Sequence, residues 1–205
     1  MKNLKKLVSL LLILALSAMT FAAMAELPED KRVEGTPGCA YKLSEDGTYY
    51  IWCGITDAYD MSTKDMVIGN WHDGKPVKEI CGSLDMEANG GVALKDVPLE
   101  TLVVSEGITT MNFGSLICGS LKKVVLPDGI ENYPQALMLF ETQLEEMVVG
   151  KGLKSMDVDI LMRNEGNLQT IYFRGTEEEW NAIEIAEKGN DDILDCENIV
   201  FNYAD

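Results

Sequence analysis

Four segments of the chain follow one pattern. Leu99 opens LETLVVSEGI, Leu121 opens LKKVVLPDGI, Leu144 opens LEEMVVGKGL and Leu168 opens LQTIYFRGT, at intervals of 22, 23 and 24 residues. Apolar residues fall at the first, fourth and sixth place of each unit: Leu99/Leu102/Val104, Leu121/Val124/Leu126, Leu144/Met147/Val149 and Leu168/Ile171/Phe173. A glycine and an apolar residue follow in the first three units (Gly107-Ile108, Gly129-Ile130, Gly152-Leu153). A second apolar residue comes three places later, at Met111, Tyr133 and Met156. The spacing of two predicts a short strand with alternate residues facing inward, and the glycine lets the chain turn away without steric cost. A unit this short cannot enclose a core by itself. It has to bury its leucines against its neighbours, which is the logic of a leucine-rich repeat.

The stretch ICGSLKKVVLPDGI resembles the Cys-x-x-Leu-x-x-Ile-x-Leu-Pro pattern of BspA-type leucine-rich repeats, found in secreted and surface bacterial proteins. YKLSEDGTYYIWCGI is similar to the hairpin that opens many such domains, and IYFRGTEEEWNAIEI leading to IVFNY is similar to their usual ending. The resemblance covers residues 39 to 203. It implies an α/β fold: a short leucine-rich-repeat solenoid with one curved parallel sheet, an N-terminal β-hairpin cap and a C-terminal helix-strand cap. Strands are expected at 66–68, 101–105, 123–127, 146–150, 170–174 and 199–203. MVIGNWHDGKPVKEI reads as a degenerate first unit, with Met66 and Ile68 inward, Val77 and Ile80 in its arm, and a turn at Asp73-Gly74. Residues 81–98 lengthen that arm.

An open stack exposes core leucines and an unpaired strand edge, so both ends need covers. With Glu45-Asp46-Gly47 as a three-residue loop, the front hairpin pairs Ser44 with Thr48 and Leu43 with Tyr49. The same register reaches Cys39 opposite Cys53, within disulfide reach. At the far end Thr176 caps a short helix whose first turn is Glu177-Glu178-Glu179, favourable at a positive helix N-terminus. Trp180 and Ile183 are expected to cover the last leucines.

Ahead of the fold, residues 1–25 carry a basic head (Lys2, Lys5, Lys6), an apolar run from Leu7 to Leu16, and small residues at Ala23-Met24-Ala25. That is the pattern of a signal peptide cleaved before Glu26. Residues 26–38 read as a linker, 39–57 as the hairpin cap, and 58–205 as the repeat domain with its C-terminal cap. The expected location is extracellular, or loosely associated with the cell surface. Cleavage removes three lysines and no carboxylate, so the formal charge falls from −17 to −20. A surface this acidic repels nucleic acid and anionic membrane. The five cysteines are an odd number for an exported chain, which leaves at least one unpaired or joined to another chain.

Chemistry is sparse in the sequence. His72 is the only histidine, which rules out two-histidine metal motifs, and it stands in the turn composition of NWHDGK. Cys118 occupies a core place of the repeat, where a buried thiol is inert. The carboxylates are spread along arms and loops, and Asn190-Asp191-Asp192 with Asp195 lack the spacing of a calcium loop. No phosphate-cradling glycine motif is present, and no cofactor is expected.

The middle residue of each strand remains. Val67, Val103, Val125, Val148, Tyr172 and Val200 alternate with the inward positions and so point out of the sheet on its concave side. They form an apolar file, rimmed by Thr101, Lys123, Glu146, Thr170 and Arg174. The expected function is a secreted, non-enzymatic module that binds an extracellular or host-surface protein through this face, with adhesion implied by the resemblance. The rival readings are a small hydrolase or inhibitor using acidic residues of the 81–98 arm, and a structural accessory module without a dedicated ligand.

Overall fold

A computed structural model describes residues 27–138, 143–161, 164 and 166–204. The chain divides into two compact units, Met1–Lys31 and Arg32–Asp205. The expected signal peptide lies outside the described residues. Of the first unit only residues 27–31 are described, with a 3-10 turn at Glu29–Lys31.

The second unit is built on six parallel strands that lie side by side in chain order. They are β3 (Asp65–Ile68), β6 (Thr101–Val104), β8 (Lys123–Val125), β10 (Glu146–Val149), β12 (Thr170–Phe173) and β14 (Ile199–Val200). The expected strands are all present, though each except β3 is shorter than the sequence suggests, β14 most of all. Register follows the repeat: Leu102 stands beside Met66 and Val124, and Met147 beside Val124 and Ile171. The inward positions form the core, with Leu99, Leu121, Leu144, Leu102, Leu126 and Phe173 wholly buried. Cys118 is buried among them.

The arms form ladders of their own. β5 (Lys75–Ile80) pairs in parallel with β7 (Thr110–Met111), and β9 (Asn132–Tyr133), β11 (Ser155–Met156) and β13 (Glu184–Ile185) make a three-stranded parallel sheet. The late apolar residue of each unit sits here, Met111 beside Ile80 and Tyr133 beside Met156. Charges repeat with the same period. Lys122 pairs with Glu100, Lys123 with Glu146, and Lys154 with Glu131, each linking one unit to the next. Exposed pairs of this kind contribute only a few tenths of a kcal/mol, about 0.2–1 each.

The front hairpin pairs β1 (Cys39–Leu43) with β2 (Tyr50–Ile55), but one residue away from the expected register. Leu43 faces Tyr50, and a bulge between Cys39 and Tyr41 brings Cys39 opposite Ile55. The expected Cys39–Cys53 disulfide is absent, and all five cysteines are free thiols. The cause lies in the loop. The Asp46 carboxylate accepts hydrogen bonds from the Ser44 hydroxyl (2.8 Å), the Thr48 hydroxyl (2.7 Å) and the Thr48 N–H (3.0 Å). Thr48 is thereby held in the loop, Ser44 pairs with Tyr49 instead, and the turn lengthens by one residue.

His72 lies in β4 (Trp71–His72), which turns back on β5 through Asp73 and Gly74, both at positive φ. Its ring stacks on Tyr41 at 3.8 Å, so it packs the cap. Part of the expected linker also does structural work. Thr36 donates its N–H to the Val67 carbonyl (2.9 Å) and accepts the Val67 N–H on its hydroxyl (2.8 Å), which covers the edge of β3.

The long arm holds α1 (Ser83–Met86) and two 3-10 turns. It buries Met86, Leu94 and Val97 without disturbing the pairing of β3 with β6. At the far end α2 (Glu177–Asn181) begins with a reciprocal cap. Glu179 donates its N–H to the Thr176 hydroxyl, and its carboxylate accepts the Thr176 N–H. Trp180 packs on Phe173 at 5.3 Å between ring centres, and with Ile183 it closes the stack.

Candidate functional site

The face turned away from the leucine core carries the candidate site. Strand register sets Val67, Val103, Val125, Val148, Tyr172 and Val200 in one row across six strands. Two residues before each comes a polar row, in which Asp65, Thr101, Lys123, Glu146 and Thr170 stand abreast. Both rows arise because alternate residues of a strand share a face while the parallel ladder keeps every unit in phase.

The row is continuous, but its members are not equally open. Val67, Val103, Val125 and Tyr172 are half-buried, Val200 is exposed, and Val148 has no exposure at all. The expected uniformly exposed file is therefore interrupted at β10. Arg174 spans the same part of the sheet. It follows β12, yet its Nη1 bonds the Leu126 carbonyl beyond β8 (3.2 Å) and the Glu106 carboxylate after β6 (2.8 Å), with Asp128 at 3.6 Å. It thereby spans the unit between, at the level of Gly150 just past the end of β10. The Arg174 side chain is only 14% exposed, so it braces three units and is not an open rim residue.

Lys123, Glu146 and Thr170 of the expected rim are also engaged. Lys123 and Glu146 are paired at 2.8 Å, and the carboxylate raises the lysine's pKa above its ordinary value. The Lys123 ammonium lies 5.6 Å from the centre of the Tyr172 ring, within range of a cation–π contact. Thr170 is buried and accepts a hydrogen bond from the Asn198 amide (2.8 Å). Beyond β14 the chain folds back, with the Tyr203 N–H donating to the Phe173 carbonyl and its ring 4.7 Å from Tyr172. The part left uncovered by these contacts is Val67, Val103 and Val125, with Asp65 and Thr101 beside them.

Sequence reasoning missed three buried asparagines that hold the arms. Asn190 accepts the Ile160 N–H (2.9 Å) and donates to the Asp157 (2.8 Å) and Ala186 (2.6 Å) carbonyls. Asn164 accepts the Leu144 N–H, and Asn70 accepts the Val33 N–H. The only signal available was an asparagine in an otherwise loop-like stretch, which does not separate a brace from a turn. The acidic arm brings no carboxylate pair into a dry cleft, since Asp85, Glu87 and Asp96 are all exposed. Among the described residues, no group of three or more His, Cys, Asp or Glu is placed to hold a metal ion. Among those same residues, no helix is long and apolar enough to cross a membrane.

A leucine rich cell surface protein from Faecalibacterium prausnitzii A2-165 superposes on 72% of the chain with a TM-score of 0.51 and 15% identity. The fold is a leucine-rich repeat. The chain spans 41% of that protein's length. A leucine-rich-repeat protein from T. pallidum aligns with 86% of the chain and 85% of its own length at 15% identity, with a TM-score of 0.39. No protein-family model matches the sequence, and no curated protein does.

Proposed function

We propose that the chain is an exported, non-enzymatic leucine-rich-repeat module that binds an extracellular protein through the open face of its sheet. Export rests on the basic, apolar and small-residue sequence of residues 1–25. One observation carries the binding reading: the apolar row Val67, Val103 and Val125 is in register, half-exposed, and flanked by a polar row. Side-by-side apolar residues with a polar rim suit a protein partner better than single exposed ones do. The face is shallow and offers no set of converging reactive groups, which favours recognition over catalysis. Adhesion to a host or neighbouring cell surface is the role the repeat pattern's resemblance suggests.

The test compares wild-type protein with Val103→Asp and Val125→Asp as immobilised bait, in fluid from the producer's surroundings. Loss of a captured protein with an unchanged melting temperature supports the reading. Capture that survives both substitutions in a folded protein overturns it.

A further inference from the structure

The two edges of the main sheet are finished differently. At the front, Thr36 takes both outward groups of β3, donating to the Val67 carbonyl and accepting the Val67 N–H. At the back, β14 is paired on one side only, to β12. The Ile171 N–H donates to the Asn198 carbonyl at 3.0 Å, and Tyr172 stands beside Val200. Alternate residues of a parallel strand bond to opposite sides, so this register turns Val200 toward β12 and sends the Ile199 N–H and carbonyl outward. Among the described residues, no strand or loop bonds that side of β14. The chain does not fold over it either. Asn202, at a φ of 53°, turns the backbone back toward β12, where its N–H donates to the Gly175 carbonyl (2.8 Å). Val200 is 37% exposed, and Ile199 and Phe201 are half-buried, so the edge is open to water.

An unpaired edge is a template for another strand, and charge selects which strand can use this one. Residues 176–205 hold ten carboxylates and one lysine, a net −9 out of −17 for the whole chain. Asp195 and Glu197, just ahead of β14, are both exposed. A second copy of the chain is a poor occupant. Set back to back, the two ends repel through these carboxylates. Set back to front, the edge of β3 is already bonded to Thr36.

We propose that the outer edge of β14 is a second interaction site, separate from the valine strip of β3 to β8, which takes an extended basic segment of another protein as a seventh strand. Ile199 donates its N–H to the segment and accepts one of the segment's N–H groups on its carbonyl. Residues abreast on neighbouring strands share a face, so an apolar side chain of the segment beside Val200 lies against it. Lysines or arginines of the segment stand near Asp195 and Glu197. The backbone bonds provide the pairing, and the charges decide which strands may pair.

The test titrates the folded, isotope-labelled protein with a synthetic peptide of alternating lysine and valine, blocked at both ends, and follows amide exchange by NMR. Exchange at Ile199 should slow as the peptide is added, while the Val67 amide, already bonded to Thr36, keeps its rate. Two control peptides should leave Ile199 unchanged: one with glutamate in place of lysine, and one with every backbone nitrogen methylated. Asp195→Asn combined with Glu197→Gln should weaken binding by about two- to thirtyfold, the worth of two exposed ion pairs. Ile199→Pro removes the outward N–H and leaves the bonds from Asn198 and Val200 to β12, so it should abolish binding. Unchanged exchange at Ile199 under excess basic peptide overturns the proposal, and the carboxylates then serve only to keep the edge unpaired. Equal binding of the glutamate peptide, or changes confined to Val103 and Val125, overturns it as well. The peptide controls use wild-type protein alone, so they decide the matter even where the proline variant does not fold.

Discussion

Val148 and Val125 hold the same place in successive repeats, and the structure gives them different fates. A charge introduced at each should separate them. Val148 is fully buried, whereas Val125 is half-exposed on the neighbouring strand. In Val148→Asp the lost apolar burial costs about 1.5–3 kcal/mol. A desolvated carboxylate lacking a hydrogen-bond partner costs roughly 1–3 kcal/mol more. Lys123 cannot offset this without loss, because it already holds Glu146 at 2.8 Å, and Arg174 is bound to Glu106 and a carbonyl. The expected total is about 2.5–6 kcal/mol; at roughly 2–4 °C per kcal/mol for a domain of this size, the melting temperature falls by about 5–24 °C. Val125→Asp leaves its carboxylate in reach of water and should cost no more than about 1 kcal/mol.

Thermal melts followed by circular dichroism, with urea titrations to confirm an unchanged slope, provide the measurement. If the two variants melt within about 2 °C of each other, which is under 1 kcal/mol here, Val148 is not buried in solution. The interrupted reading of the face would then be wrong. The same pair limits what a binding assay can show. Lost capture by Val148→Asp reports unfolding as well as recognition, while lost capture by Val125→Asp reports recognition alone.

Four further outcomes are expected. Leu121→Ala opens a cavity at a fully buried repeat position and should cost on the order of 2–5 kcal/mol in urea denaturation. Arg174→Ala removes a charged brace spanning three units; a loss of about 1.5–3 kcal/mol is expected by the same assay. The Asp46 carboxyl should titrate below the ordinary aspartate range in NMR, because the Thr48 and Ser44 hydroxyls and the Thr48 amide donate to its ionised form. Since its folded pKa is below the unfolded one, its contribution is complete above the unfolded pKa and is lost as pH falls through the folded one. Gly91→Ala should lower the melting temperature and speed amide exchange at Ile55, since the added methyl meets the Cys53 carbonyl.

The main sheet was legible because its cause is local and repeated. Each inward leucine recurs at a nearly fixed interval, and parallel pairing follows once the units stack. The same regularity puts Val67, Val103 and Val125 in one row. The hairpin register was not legible, because it turned on three hydrogen bonds to Asp46. Moving a loop by one residue moves every pair behind it, so Cys39 lost Cys53 as a partner. Cys81, which stands beside Cys53 instead, directly follows β5, a strand that reads from sequence only as the arm of the first unit. The brace made by Arg174 was hidden for another reason. Glu106 lies 68 residues earlier, and although its carboxylate recurs one unit on as Asp128, Arg174 has no counterpart in the other units, so no periodic signal marked the contact.

These contacts also determine what the open face can hold. Arg174 reaches from the end of β12 to the Leu126 carbonyl, the Tyr203 ring lies against Tyr172, and the edge beside Val67 is bonded to Thr36. The apolar strip between them spans three strands, about 10 Å from β3 to β8 at the usual strand spacing. A stable interface buries on the order of 800 Å² on each partner, more than three half-buried valines supply. A partner that docks here must therefore extend over the polar row as well. Asp65 and Thr101 are then contact residues alongside the valines, and Lys123 is a cation in the same row, beside Thr101. The acidic exterior gives that lysine added weight, since an acidic partner would be repelled nearly everywhere else on the chain. Lys123→Ala should consequently slow association without changing the melting temperature by more than about 2 °C, the size of an exposed ion pair. The rate should also lose part of its dependence on salt, measured by surface plasmon resonance once a captured protein is in hand. An unchanged association rate would restrict the contact to the valine strip and leave the polar row outside it.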